Sequence, residues 1–433
     1  MAQKAKAPRL SLPWDTRYQV IFLCFLATLI AYVERTGFSI AYTALAKRSG
    51  VPEGLTGTVM SAFYWGYALS QIPGGIAAQR YGGDTMLSLS FACWGTAALL
   101  TPASAERARA TILARVCVGA AQGFLIPAVH TVLSAWVPPA ERARAVSLTT
   151  SGMYLGSALA MQALPSVAKA LGPAALLRLT GALGLGWLLL PSPLTTGGAA
   201  GDNGKTKVFA PGAMGRPAAT PWSLMLRHPA VWAIVINNFT FHYAFYILMN
   251  WMPTYYDKVL GTDLSAMGSA KTLPYLTMFA TSNAGGWAGD WLITRGRVGV
   301  GAARKAVNSL GFWAAAATLV CMPGAGSLGA GVTLTTLALG TCGFARGGFS
   351  VNHMDIAPNF AGIVMGISNT AGTLAGVVGV AATGFFLEQA GGAQHKTGWL
   401  ISLAIAAALC VLGSLIFLRY ARGTRVFGGD AHR

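Results

Sequence analysis

Negative charge is what this 433-residue chain has least of: 13 Asp and Glu stand against 31 Lys and Arg, and the four types together make up 10% of residues. A soluble domain carries roughly 25% charged residues. Too few polar side chains remain to cover a large water-soluble bundle, so that reading is excluded. The cysteines (Cys24, Cys93, Cys117, Cys321, Cys342, Cys410) have no zinc-type spacing and all fall in apolar runs. That argues for small apolar residues with free thiols and against a disulfide framework. Nucleophile motifs, metal-ligand clusters and phosphate-cradling loops are also missing; GAAQG and GGDTMLS lack the strand–helix context such a loop needs. No cofactor and no enzymatic activity are expected. The stretch MAQKAKAPRLSLPWDTRYQV is too poor in serine for a transit peptide and has no apolar core followed by a cleavage site.

What is present is apolar: 54% hydrophobic residues and a mean hydropathy of +0.53. Runs of about 20 apolar residues read as membrane-spanning helices. Twelve are placed, at 18–45, 55–80, 85–103, 108–136, 143–164, 173–192, 228–256, 267–294, 304–323, 328–354, 360–388 and 397–420. The net charge of +18 does not mark a nucleic-acid binder, because the basic residues lie in the short connectors and tails. One set of loops, with the N-terminus, the 193–227 connector and the tail from Arg419, holds about twice as many Lys and Arg as the other set. By the positive-inside rule both termini are expected on the cytoplasmic side, with the lipid bilayer as the main partner.

The 193–227 connector is rich in Gly, Ala, Thr and Pro and reads as a flexible linker. It divides the chain into a tail (1–17), a six-span half (18–192), the linker, a second half (228–420) and a tail (421–433). The halves repeat one another. Gly74-Gly75 in GYALSQIPGGIAAQRYGG and Gly285-Gly286 in TMFATSNAGGWAGDWLITRG are offset by 211 residues. Pro138, Gly152 and Gly156 match Pro358, Gly372 and Gly376 at an offset of 220. Parallel six-span repeats mark the major facilitator fold. Small residues one turn apart let helices approach closely and slide, although generic packing needs the same spacing.

Charge inside a span is costly and is read as functional by default. Glu34 is the one acidic residue well inside a predicted span; Asp257, Asp290, Asp355 and Glu388 lie at or near span ends. Arg35, Arg115 and Arg346 fall in spans 1, 4 and 10. In the major facilitator fold spans 1, 4, 7 and 10 line the cavity. Excess Arg there makes a positive site, and a guanidinium fork matches oxyanions. Tyr32, His242 and Asn238 join the three arginines as candidate substrate contacts. The competing reading makes the arginines structural, held by carbonyls or by Glu34. Adjacent helix residues point ~100° apart, so Glu34 need not pair with Arg35. A desolvated carboxylate takes up protons readily, which makes Glu34 the candidate proton site; a fixed counter-ion is the alternative. His130 and His353 read more readily as structural donors than as ligands.

SAFYWGYALSQIPGGIAAQRYGG, PAVHTVLSAWVPPAERARA, NWMPTYY and VNHMDIAPNFAGIVMGISNTAGTLAG resemble the anion:cation symporter branch of the major facilitators. More narrowly, ERTGFSIAYT, TTSGMYLG, NNFTFHYAFYILMNWMPTYY and GFSVNHMDIAP are similar to the Golgi-type member of the plant phosphate transporter 4 family. The resemblance implies a monomeric secondary transporter of inorganic phosphate in the Golgi membrane, coupled to H+ or Na+. It matches Arg35 to the branch's substrate arginine, Glu34 to an acidic residue used for protons, and Arg115 to a span-4 arginine. Gly75, Arg80, Gly82 and Asp290 match its gating motif. Departures accompany it: Gln122 stands where relatives carry a coupling glutamate, Met60 replaces a histidine, Phe241 replaces an arginine, and Gln79 replaces the motif's Asp. An organic-anion symporter, for a sugar acid or ascorbate, and a passive anion channel remain alternatives.

Overall fold

The computed structural model describes residues 16–190, 220–261 and 272–427. Most of the predicted N-terminal tail, most of the linker and the last residues of the C-terminal tail lie outside them. Among the described residues there are fourteen α-helices and no strand. The first half holds α1 (Thr16–Arg48), α2 (Glu53–Tyr81), α3 (Gly83–Leu100), α4 (Ala108–Gly123), α5 (Leu125–Trp136), α6 (Arg142–Leu171) and α7 (Pro173–Trp187). Short α8 (Trp222–Arg227) follows. The second half holds α9 (Pro229–Lys258), α10 (Leu273–Thr294), α11 (Val300–Cys321), α12 (Leu328–Ile356), α13 (Ala361–Gln389) and α14 (Lys396–Tyr420).

The predicted fourth span appears as two helices, α4 and α5, stacked end to end. Pro127 has no N–H to give to the Gly123 carbonyl, which explains the break just before it. The predicted fifth span is longer than expected: α6 runs through Pro165 to Leu171. The sixth is shorter, ending as a helix at Trp187. With α4 and α5 as one rod and α8 set aside, twelve rods remain, six per half.

Seven of these rods are long and apolar enough to cross a bilayer by length and composition alone. Three of the others, α2, α6 and α10, form the seam between the halves, where Gly, Ser and Thr replace large apolar residues. Across that seam α6 packs on α10 and α12, and α2 and α5 pack on α13. The repeat seen in the sequence is present in the packing. Gly152 and Gly156 on α6 meet the backbone of α1 at Phe25 and Leu29, while Gly372 and Gly376 on α13 meet His242 and Tyr246 on α9. Gly74 abuts Phe124, and its counterpart Gly285 abuts Phe344. Gly75 lies against the Gly362 backbone of the opposite half, and Gly286 against Ser147.

These cross-half contacts cluster at the end of the bundle where α1 and the second half's first rod, α9, begin, called here the linker end. A strap of residues 421–427 closes the second half there. The Ile356 carbonyl accepts hydrogen bonds from the Val426 and Phe427 N–H groups at 2.7 and 3.1 Å. Asn352 Nδ2 donates to the Arg422 carbonyl at 2.8 Å. Phe427 is buried against His228, with ring centroids 5.5 Å apart. At the opposite end Ser39, Tyr64 and Asn250 are exposed.

Candidate functional site

Arg115 and Gln122 are seven residues apart on α4, two turns along one face, and both turn toward α1. They take the two oxygens of Glu34. Arg115 Nη1 donates to Glu34 Oε1 at 2.5 Å, and Gln122 Nε2 donates to Glu34 Oε2 at 2.9 Å. Gln122 then accepts at Oε1 from Arg35 Nε, at 2.8 Å. The sequence of contacts is Arg115–Glu34–Gln122–Arg35, so Glu34 does not pair directly with its neighbour. Glu34, Arg115 and Gln122 are all buried. The pair nearly cancels its own charge and leaves Arg35 positive.

Arg35 is caged by aromatic rings. Its guanidinium carbon lies 4.5 Å from the centroids of Tyr32, Phe63 and Tyr67. Phe63 and Tyr67 are one turn apart on α2, and Tyr32 is three residues back on α1. Aromatic faces suit a cation, and its Nη2 is buried with no protein partner. A cavity of about 100 Å³ adjoins it, lined by Arg35, Phe38, Ser39, Met60, Phe63, Tyr64 and Arg115.

The second half supplies Arg346 from α12, also buried. Its Nη1 donates to the Tyr154 hydroxyl at 2.7 Å, it lies 4.9 Å from the Phe241 ring, and its Nε has no protein partner. Tyr154 is on α6, so this bond crosses the halves. Asn369 Nδ2 on α13 crosses back to the Tyr67 hydroxyl at 3.1 Å. Tyr32 lies within electrostatic range of both Arg35 and Arg346. Two guanidiniums, each with a buried, unpartnered nitrogen and, among the described residues, no carboxylate bonded to it, therefore both lie near Tyr32, and the cavity itself is lined by Arg35 but not by Arg346.

Of the residues singled out in the sequence, Arg35 and Arg346 both lie within electrostatic range of Tyr32. Arg115 borders the cavity, but its Nη1 is committed to Glu34. His242 is half-buried, with Nδ1 on the Asn238 carbonyl at 2.9 Å and its ring against Gly372. Asn238 is fully buried and turns to Ser368, at 3.5 Å, within its own half. Tyr154 and Asn369, which tie the two arginine clusters together across the seam, escaped the sequence reading. Tyr154 sits two residues from both Gly152 and Gly156, so it points roughly 200° away from the face they turn to α1, and no signal in the sequence marked its own face.

At the linker end the residues matched to the gating motif divide. Asp290 Oδ2 accepts from the Arg144 backbone N–H at 2.9 Å and Arg144 Nε at 3.3 Å, across the halves. Arg304, fully buried, reaches Asp290 at 3.5 Å and Asp355 at 3.0 Å. In the first half Gln79 accepts from Thr220 Oγ1 at 3.2 Å, its only side-chain bond among the described residues, and Arg80 is exposed beside Tyr81. Gly82 has φ of 92° and makes the tight turn between α2 and α3.

The sequence profile described as Major Facilitator Superfamily matches residues 24–380. The chain belongs to that superfamily. It is 46% identical over 422 residues to "Probable anion transporter 6" of Oryza sativa subsp. japonica, covering 95% of this chain and 99% of the relative. It is 44% identical over 423 residues to "Probable anion transporter 5" of Arabidopsis thaliana, covering 95% and 98%. At 34% identity stand two Arabidopsis thaliana proteins, "Ascorbate transporter, chloroplastic" (96% of this chain, 77% of the relative) and "Sodium-dependent phosphate transport protein 1, chloroplastic" (96% and 82%). Among solved structures, the proton:xylose symporter XylE superposes with a TM-score of 0.72 at 14% identity, covering 95% of this chain and 97% of that one. The chain is thus a multi-pass membrane transporter of the anion-transporter branch, not an enzyme.

Proposed function

We propose that the chain carries inorganic phosphate by alternating access, coupled to protons, across the Golgi membrane, with both termini and the linker in the cytosol. The observation that carries the reading is the pair of guanidiniums, Arg35 and Arg346, each holding a buried nitrogen without a partner and both within electrostatic range of Tyr32. A tetrahedral oxyanion offers the acceptors both edges lack. The positive site excludes cations, and its small volume suits a compact anion.

Glu34 couples the proton. Protonation removes the charge that holds Arg115 and Gln122, and Gln122 in turn holds Arg35. The bond order of the relay makes the position of Arg35 depend on the charge of Glu34 two contacts away. In this conformation the linker end is sealed by Asp290–Arg144 and Gly75–Gly362, so the cavity faces the opposite compartment, the lumen. An acidic lumen then drives phosphate, a by-product of glycosylation, to the cytosol.

Labelled phosphate uptake into proteoliposomes, with and without an inward proton gradient, tests this. Wild type is expected to show saturable, proton-stimulated uptake. Arg35→Ala abolishes it, and Glu34→Gln keeps some uptake without pH dependence. Uptake driven by a sodium gradient alone would change the coupling ion. Displacement by ascorbate or a sugar acid at lower concentration than phosphate would favour an organic carboxylate, the reading that the ascorbate-transporting relative supports. Current without saturable exchange would mean a channel.

A further inference from the structure

Below the arginine centre, three rods of the seam carry the same vertical order. On α2, Tyr67 bonds to Asn369, Gln71 follows one turn on, and Gly75 meets the Gly362 backbone a turn later. On α12, Arg346 bonds to Tyr154, Ser350 follows one turn on, and the Met354 carbonyl, a turn later, accepts from Arg142 Nη1 at 3.0 Å. On α13 the order is Asn369, Gly366 against the Gln71 carbonyl, then Gly362. A middle layer thus lies between the floor of the cavity and the seal of the linker end.

That layer is polar and poorly paired. Both amide atoms of Gln71, both ring nitrogens of His130 and Ser350 Oγ are buried without a protein partner. His130, on α5, faces His353 of the other half with ring centroids 5.4 Å apart. His353 is committed, its Nδ1 to the Ser350 carbonyl at 3.0 Å and its Nε2 to Ser368 Oγ at 2.8 Å. Arg346 is within electrostatic range of both histidines. Buried polar groups are normally paired, and one left unpaired weakens the state that buries it. Five such atoms in one layer, on rods from both halves, suit a surface that is wetted when the halves part.

We infer that Gln71, His130 and Ser350 line the exit passage at the linker end and form a second, transient station for a small oxyanion. The inference rests on the alternating-access reading above. When the seal opens, the anion moves from Arg35 along Arg346, whose free Nε faces neither Tyr154 nor a carboxylate, onto neutral N–H and O–H donors. A station with donors and no full charge of its own holds an anion weakly enough to release it.

Two measurements test this. The first is labelling of Ser350→Cys, a near-isosteric change, with a charged methanethiosulfonate applied from the linker side only, against wild type as background. Reaction is expected with and without phosphate, and faster during turnover. No reaction from that side, in protein that transports at the wild-type rate, overturns the passage. The second is transport and phosphate binding by Gln71→Met and His130→Leu. Removing orphaned groups favours the sealed form, so turnover is expected to fall about tenfold while phosphate binding stays within about twofold. Wild-type turnover in both variants overturns the station. If wild type moves no phosphate, the substrate reading fails, but the labelling without phosphate still decides the passage.

Discussion

At the scale of the residue, one amide sets the charge of the site. Gln122 stands between Glu34 and Arg35 and gives each a bond of the right polarity. Gln122→Glu turns that contact into a salt bridge on Arg35 and removes one positive charge from the centre. The phosphate KM is expected to rise by about tenfold or more and to acquire a new pH dependence, read from the concentration dependence of uptake. Glu34→Ala leaves Arg115 buried without its partner, a loss of about 3–5 kcal/mol. The expected sign is a lower Tm that Arg115→Leu in the same chain largely restores. Failure of the second change to rescue would show that the pair is not the unit drawn here. The arginines and Glu34 were legible in the sequence because charge in an apolar run stands out. Their partners were not: Tyr154 and Asn369 look like ordinary span residues, and which rods meet across the seam decides what they touch. Asn238 shows the converse, a polar residue in a span expected to line the cavity that instead faces its own half.

At the scale of the element, glycines on neighbouring turns do different work. Gly156 lies against the Leu29 carbonyl within its half, so Gly156→Val overpacks α1 against α6 at about 1–3 kcal/mol, seen as a lower Tm. Gly75 lies against the other half, where a side chain meets a movable surface. Gly75→Val is expected to leave Tm nearly unchanged and to open the linker end. Pulsed electron paramagnetic resonance between labels on the linker ends of α2 and α13 should show a longer distance. Most rod boundaries were readable to within a few residues, because each apolar run ends in Gly, Pro or charge. The exceptions have local causes. Pro165 ends the apolar pattern but not the helix, and Pro127 breaks a run that hydropathy treats as continuous.

At the scale of the whole molecule, the two halves are built alike and latched unequally. The carboxylate of Asp290 reaches Arg144 and Arg304, while Gln79 at the matching place, among the described residues, reaches only Thr220. Asp290→Asn is expected to shift the balance toward the linker-open form by about tenfold, measured as faster thiol labelling from that side. The sequence pointed to this asymmetry through the substitution at Gln79, but the partners of Asp290 depend on how α6 lies against α10. The strap adds a second inequality, one of timing. Residues 421–427 are synthesised after every rod of the second half, yet they bind Asn352 and Ile356 and bury Phe427 beside His228. The first half can finish folding while the ribosome is still at work. The second cannot be completed until its last rod has been inserted and the chain beyond it has emerged, so its rods wait in the bilayer, held only by one another.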